Sequence, residues 1–300
     1  MLAVPFIKNG RINYGRYLTK RICRIWLPFA AAILLSAFLS YLLRADGPPN
    51  YWTYETWTDP VDIRVLLSHF LLIGGSRDMS LDIVMWSLVH EMRISIIYPL
   101  IILMVLWRPG VAIGTAIVLQ IVSACFRAQE TTFVSVTIAG SGFYVLFFVL
   151  GAAIAANVDF VRGLLNRQRP GTRITLLAAA ALLLMIPPGG MIREEAWLVG
   201  AILILATLLA DCRMQTSLEA PIPKWLGRVS YSLYLVHIPV LTAMVFAFSP
   251  FVPQWVIMSA GLVLCLIAAE LFHRFVEAPS IEFGRFLTSL GRASVAVLPD

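Results

Sequence analysis

Charge is what this chain of 300 residues has least of: 13% is Asp, Glu, Lys or Arg, against 59% hydrophobic residues and a mean hydropathy of +0.83. That excludes a water-soluble domain of this size and leaves a chain that is polytopic in a membrane. Acids are scarcer than bases, 17 against 23, and none precedes Asp46. The net charge of +6 does not imply nucleic acid as a partner, because the bases sit in short stretches beside apolar runs, the ordinary positive-inside distribution. Cysteine is sparse too: Cys23, Cys125, Cys212 and Cys265 lie far apart, within or at the ends of apolar runs. They form neither a disulfide framework nor a metal-ligand spacing, so they read as packing residues and no metal is expected. A Gly-rich phosphate loop is also missing, which argues against a nucleotide-driven pump. The first 24 residues carry Lys8, Arg11, Arg16, Lys20, Arg21 and Arg24 without an apolar core, so no cleavable signal peptide is expected. No repeat, low-complexity tract or soluble module interrupts the chain, and residues 1–300 read as one membrane-embedded domain opened by a basic cytoplasmic segment at 1–24.

What the chain has is apolar runs, near 25–43, 86–107, 111–126, 141–156, 172–187, 194–210, 228–248 and 254–276. Most approach the roughly 20 residues that cross a bilayer as a helix. The expected fold is therefore all-α, with about eight transmembrane helices and both termini cytoplasmic. A ninth run near 65–74, holding His69, is short and interrupted, and charge decides its fate. The 44–64 stretch holds Asp46, Glu55, Asp59 and Asp62 against Arg44 and Arg64 and belongs outside. The 157–173 loop, with Arg162, Arg167, Arg169 and Arg173, lands inside only if the ninth run does not cross. Pro109-Gly110, Pro187 to Gly190 and Ser249-Pro250 supply the breaks.

Ionisable groups inside a membrane are costly and need a partner or a wet site. Lys20, Arg21 and Arg24 form an anion-binding cluster at the cytoplasmic mouth of the first helix, suited to phosphates; alternatively they only set topology. In the segment from Trp86 to Arg93, helical spacing puts Ser87, Glu91 and Tyr98 on one stripe, His90 at its edge, and Trp86 and Arg93 on the flank. Such a face is either a cavity wall or the site of a Glu91–Arg pair that fixes packing. A second stripe joins Ser230, Tyr234 and His237 at i, i+4, i+7. His237 is a candidate proton carrier, although a lone membrane histidine is more often structural. Glu270, His273, Arg274 and Glu277, ahead of Pro279, read as an ion-pair network closing the last helix.

Four segments in this order, KRICRIWLP, WSLVHEMRISIIYPL, GRVSYSLYLVHIPV and HRFVEAPSIEFGR, resemble the integral-membrane acyltransferase 3 family. The resemblance covers nearly the whole chain, and four ordered matches are specific where one would be weak. It implies transfer of an acyl group, usually acetyl, from cytoplasmic acyl-CoA to a hydroxyl of a glycan, lipid-linked or similar envelope acceptor, with no bound cofactor. A bacterial inner membrane is the implied location. By position, Arg21 and Arg24 match the family's Arg-x-x-Arg element, thought to engage the donor with Lys20 beside it. Glu91 matches the acid of Trp-Ser-Leu-x-x-Glu, and it, His90 and His237 are the candidate catalytic residues. Trp86, Ser87, Arg93, Tyr98, Ser230 and Tyr234 are the candidate cavity lining. The resemblance also implies two further helices ahead of the residues seen here, the first carrying the family's basic His. Without them, a non-catalytic transporter or partner subunit on the same fold is the alternative.

Overall fold

The computed structural model describes residues 13–43, 56–57, 61–71, 80–128, 133–187, 191–210 and 212–293. Among them the only regular structure is helical. The chain runs through α1 (Tyr14–Leu43), α2 (Ile63–Phe70), α3 (Met85–Trp107), α4 (Pro109–Ala128), α5 (Phe133–Ala156), α6 (Val158–Asn166), α7 (Pro170–Leu184), α8 (Met191–Ala210), α9 (Cys212–Leu218), α10 (Pro221–Phe248) and α11 (Gln254–Phe272). It ends in a π turn (His273–Glu277) and α12 (Ala278–Ala293).

Each of the eight apolar runs forms a helix, and the protein is a polytopic helical membrane protein. Among the described residues six helical stretches are long and apolar enough to cross: Tyr14–Leu43, Met85–Trp107, Pro109–Phe126, Ile138–Ala156, Pro221–Phe248 and Gln254–Leu290. The remaining two of the eight runs are the helices α7 and α8. The helix α7 has 15 residues, about 22 Å against a core of about 30 Å, and α8 opens on Arg193, Glu194 and Glu195. Among the described residues the ninth run forms no helix long enough to span. Its described part is the eight-residue α2, begun when the Asp62 carboxylate accepts the Val65 N–H at 2.7 Å. Most of the 44–64 stretch and residues 72–79 lie outside the described residues.

Two further expectations change. Much of the 157–173 segment is the short helix α6 rather than a loop. Its arginines bind carbonyls, Arg162 Nε donating to Leu209 O at 3.0 Å and Arg173 Nε to Leu165 O at 3.2 Å. Nor does Pro279 end the last helix, since α12 follows directly upon the π turn. There the Ala278 N–H bonds His273 O, and the N–H that Pro279 lacks falls in the first turn of the new helix, where a proline is tolerated.

The described residues fall into two compact units, one within 13–96, 133–137 and 226–293, the other within 97–128 and 138–225. In the first, α1 buries Phe29, Ala32, Ile33 and Ser36 and exposes Leu34, Phe38 and Tyr41. A helix apolar on its exposed face as well suits lipid rather than water. Its partner α12 lies close enough that a Cβ at Gly284 would stand 2.8 Å from Cys23 Cβ. Near the other end of α1's buried face, Trp57 is fully buried with φ 63°, a conformation that costs a bulky residue on the order of 1–3 kcal/mol. It is held there by its N–H to Ser80 O at 2.5 Å, by Nε1 to Ser36 Oγ at 2.9 Å and by its ring against Phe246. The second unit contains an apolar cavity of about 470 Å³ lined by residues such as Phe147, Trp197 and Leu205, with no ionisable side chain to perform chemistry.

Candidate active site

The chemistry-bearing side chains of the first unit gather where α1, α3, α10 and the π turn meet. The first turns of α1 are latched to α3: Tyr14 OH donates to Ile96 O at 3.1 Å and Tyr17 OH to Ser95 O at 2.9 Å. One turn further on, Arg21 is buried and donates from Nε (3.2 Å) and Nη2 (2.7 Å) to Ser95 Oγ and from Nη2 to Glu91 Oε1 (3.3 Å). A guanidinium fork spread over a hydroxyl and a carboxylate is a rigid, charge-assisted arrangement. This is the interhelical Glu91–Arg pair that the sequence left open, with Arg21 as the arginine.

The basic trio is thereby divided. Arg21 is committed inward, whereas Lys20 and Arg24, i and i+4 on the same helix, are exposed and have no partner among the described residues. Of the predicted anion-binding cluster, the exposed cationic pair is Lys20 with Arg24.

The predicted stripe on α3 also separates. Ser87 meets Tyr234 OH at 2.5 Å and Glu91 meets Arg21, whereas Tyr98 belongs to the second unit, buried there with its ring 6.3 Å from that of Phe148. Both hydroxyls also reach Val84 O, Tyr234 OH at 2.8 Å and Ser87 Oγ at 3.5 Å. Trp86 is exposed and its indole stands edge-to-face with the His90 ring, 6.2 Å between centroids, and Arg93 is half-buried. On α10, Ser230 turns away: it is exposed and its Oγ donates to Gly227 O within its own helix. His237 is half-buried and its Nδ1–H is shared by Leu233 O (3.1 Å) and Tyr234 O (2.9 Å). His69, fully buried, is structural: Nδ1 donates to Val65 O at 2.7 Å and Nε2 accepts from Leu81 N at 3.4 Å.

The closing network forms as expected, with Arg274 Nε to Glu270 Oε1 at 2.5 Å and Arg228 Nη2 to Glu270 Oε2 at 3.8 Å. Yet its second half is no surface bridge. Glu277 is 3% exposed, and its Oε2 accepts from Ser232 Oγ at 2.6 Å and from His273 Nδ1 at 3.0 Å. Tyr231, whose OH donates to Ile25 O at 2.8 Å, stands within electrostatic range of Glu91, Glu277 and Arg21 and so joins both clusters.

Several of these residues were not singled out from the sequence. Ser95 carried a usable signal, since Ser87, Glu91 and Ser95 continue the same i, i+4 row. Tyr17, Tyr231 and Ser232 did not, because their partners lie on other helices. Asp82 was missed as well. It is fully buried before α3, with Oδ1 accepting from Val84 N at 3.3 Å and Oδ2 without a partner among the described residues, and burial pushes its carboxyl well above the usual carboxylate range. Among the described residues no group of three His, Cys, Asp or Glu side chains is placed to hold a metal.

Carboxylates and hydroxyls thus gather around one buried arginine between the apolar helices of a polytopic membrane protein. Its family follows from comparison: the family model described as an acyltransferase domain, that of the acyltransferase 3 family, matches residues 6–274. The chain belongs to that family, and it is a membrane-embedded acyltransferase in the general sense the family defines. No curated protein and no solved structure matches it.

Proposed function

We propose that this protein moves an acyl group, acetyl in the simplest case, from cytoplasmic acyl-CoA to a hydroxyl of an envelope glycan or lipid-linked acceptor. The observation that carries the reading is the exposed Lys20–Arg24 pair, uncommitted to any described side chain, beside the Arg21–Glu91–Ser95 knot. Acyl-CoA presents phosphates to such a pair, and two cations on one face of a helix end receive them at low desolvation cost. Arg21 serves differently: fixed between Ser95 and Glu91, it holds α1 and α3 in register and sets the direction in which its neighbours present their charges. The positive-inside distribution favours a cytoplasmic position for this end of α1, as the donor requires, in the inner membrane of a bacterial cell. His90, Glu91 and His237 remain proposed participants in proton handling.

The test is a kinetic comparison using acetyl-CoA and envelope extract as acceptor, following release of free CoA thiol by the purified protein in lipid nanodiscs. Lys20→Ala/Arg24→Ala raises KM for acetyl-CoA by about 10-fold or more, each lost charged contact counting for roughly 1 kcal/mol at an exposed site. The same variant keeps its thermal midpoint. A KM unchanged within experimental scatter removes the donor assignment.

A further inference from the structure

At the end of α11 the helix widens into a single π turn, a distortion found frequently at functional sites. It brings His273 and Glu277 together on one side. Glu277 is almost wholly buried, and its Oε2 is fixed by the Ser232 hydroxyl of α10 at 2.6 Å while it accepts the Nδ1–H of His273 at 3.0 Å. That bond determines the tautomer: with the hydrogen on Nδ1, Nε2 carries the lone pair, and it has no partner among the described residues. His69 and His237 also engage Nδ1, but on backbone carbonyls. A carboxylate, unlike a carbonyl, carries the full charge that stabilises the imidazolium formed once Nε2 takes up a proton, and one anchored by a second hydrogen bond holds the ring in one orientation. The pair also stands in the right place. The π turn packs against α1, and α12 lies over Lys20 and Cys23 through Gly284, so the imidazole belongs to the end of the bundle that carries Lys20 and Arg24.

We propose that His273 is a proton-transfer residue of acyl transfer, with Glu277 as its positioning residue and Ser232 fixing Glu277 in turn. The proposal rests on the acyl-transfer reading above. His273 Nε2 accepts the proton of the acceptor hydroxyl while that oxygen forms a bond to the thioester carbonyl carbon. The C–S bond then breaks with its electron pair going to sulfur, and the imidazolium returns the proton to the CoA thiolate. The products are the ester and free CoA thiol, and His273 ends neutral as it began.

The experiment is the thiol-release assay with acetyl-CoA and envelope extract. His273→Asn keeps an N–H donor for Glu277 and removes Nε2, so a merely structural histidine tolerates it. The expected result is a kcat lowered about 100-fold, within the range of general-base contributions, with KM for acetyl-CoA changed by less than about 3-fold. His273→Ala is expected to recover rate when imidazole is added, which a packing defect does not do. Glu277→Gln lowers kcat without altering donor affinity. A kcat retained by His273→Asn, or a loss that imidazole leaves unrelieved, overturns the assignment while the acyl-transfer reading stands. Absence of thiol release by the parent protein overturns both.

Discussion

Breaking the Arg21–Glu91 pair from either side has unequal consequences, and the inequality follows from burial. The Arg21 side chain is 11% exposed and that of Glu91 36%. In Glu91→Leu the guanidinium stays inside with neutral hydroxyls, those of Ser95 and Tyr17, to answer it. Removing one partner of a fully buried pair costs about 3–5 kcal/mol. The surviving Ser95 bonds and the half-wet site reduce this to roughly 2–3 kcal/mol. In Arg21→Met the orphan is a carboxylate that reaches water, and the loss is about 1–2 kcal/mol. Arg21→Met/Glu91→Leu leaves no stranded charge and comes back to within about 1 kcal/mol of the parent, because an ion pair replaced whole by apolar groups is close to neutral. At roughly 2–4 °C per kcal/mol, the single Glu91 variant melts about 4–12 °C lower. Cys23 and Cys265 are buried, so the midpoint is read in detergent from a thiol-reactive dye that labels them on unfolding. Equal losses in the two single variants refute the burial argument. A double variant worse than Glu91→Leu refutes the pairing itself. Activity then divides structure from chemistry: full acyl transfer by the restabilised double variant makes the pair a packing device alone.

Asp82 gives a pH-dependent expectation. Its folded carboxyl titrates well above the value near 3.8 that it has when free, so between the two the folded state binds more protons than the unfolded one and stability falls as pH rises. Asp82→Asn removes that slope, and the variant gains on the parent as pH is raised above 3.8 in melting scans; parallel curves count against the buried acid. Glycine contacts predict a contrast. Gly284→Ala drives a Cβ to 2.8 Å from Cys23 Cβ and lowers stability by about 1–3 kcal/mol, whereas Gly261→Ala meets chiefly the flexible end of Leu241 and stays within about 1 kcal/mol of the parent. Equal melting points for the two variants exclude close packing of α12 on α1. Tyr234→Phe removes the hydroxyl hydrogen-bonded to Ser87 and to Val84 O and costs about 1 kcal/mol with KM for acetyl-CoA unchanged; a large KM change places Tyr234 at the donor instead.

Composition by itself settled the solvent. With so few charges and so much apolar length, helices in a bilayer satisfy the backbone, and every apolar run forms one. The ordered motifs were enough for the family, because several short segments in one order are specific where any single one is ambiguous. Local spacing reached the Glu270–Arg274 and His273–Glu277 bridges, which join residues one turn apart along the chain. It failed wherever the partner lay on another helix. Spacing on α1 treated Arg21 and Arg24 alike, and only the approach of Ser95 and Glu91 turned one inward and left the other with Lys20 in the open. Spacing on α3 drew Ser87, Glu91 and Tyr98 as one face, yet each found a different neighbour. Periodicity fixes the direction in which a side chain leaves its own helix. What it meets there, and hence whether it is a packing bond, a held charge or an exposed one, was decided by tertiary structure.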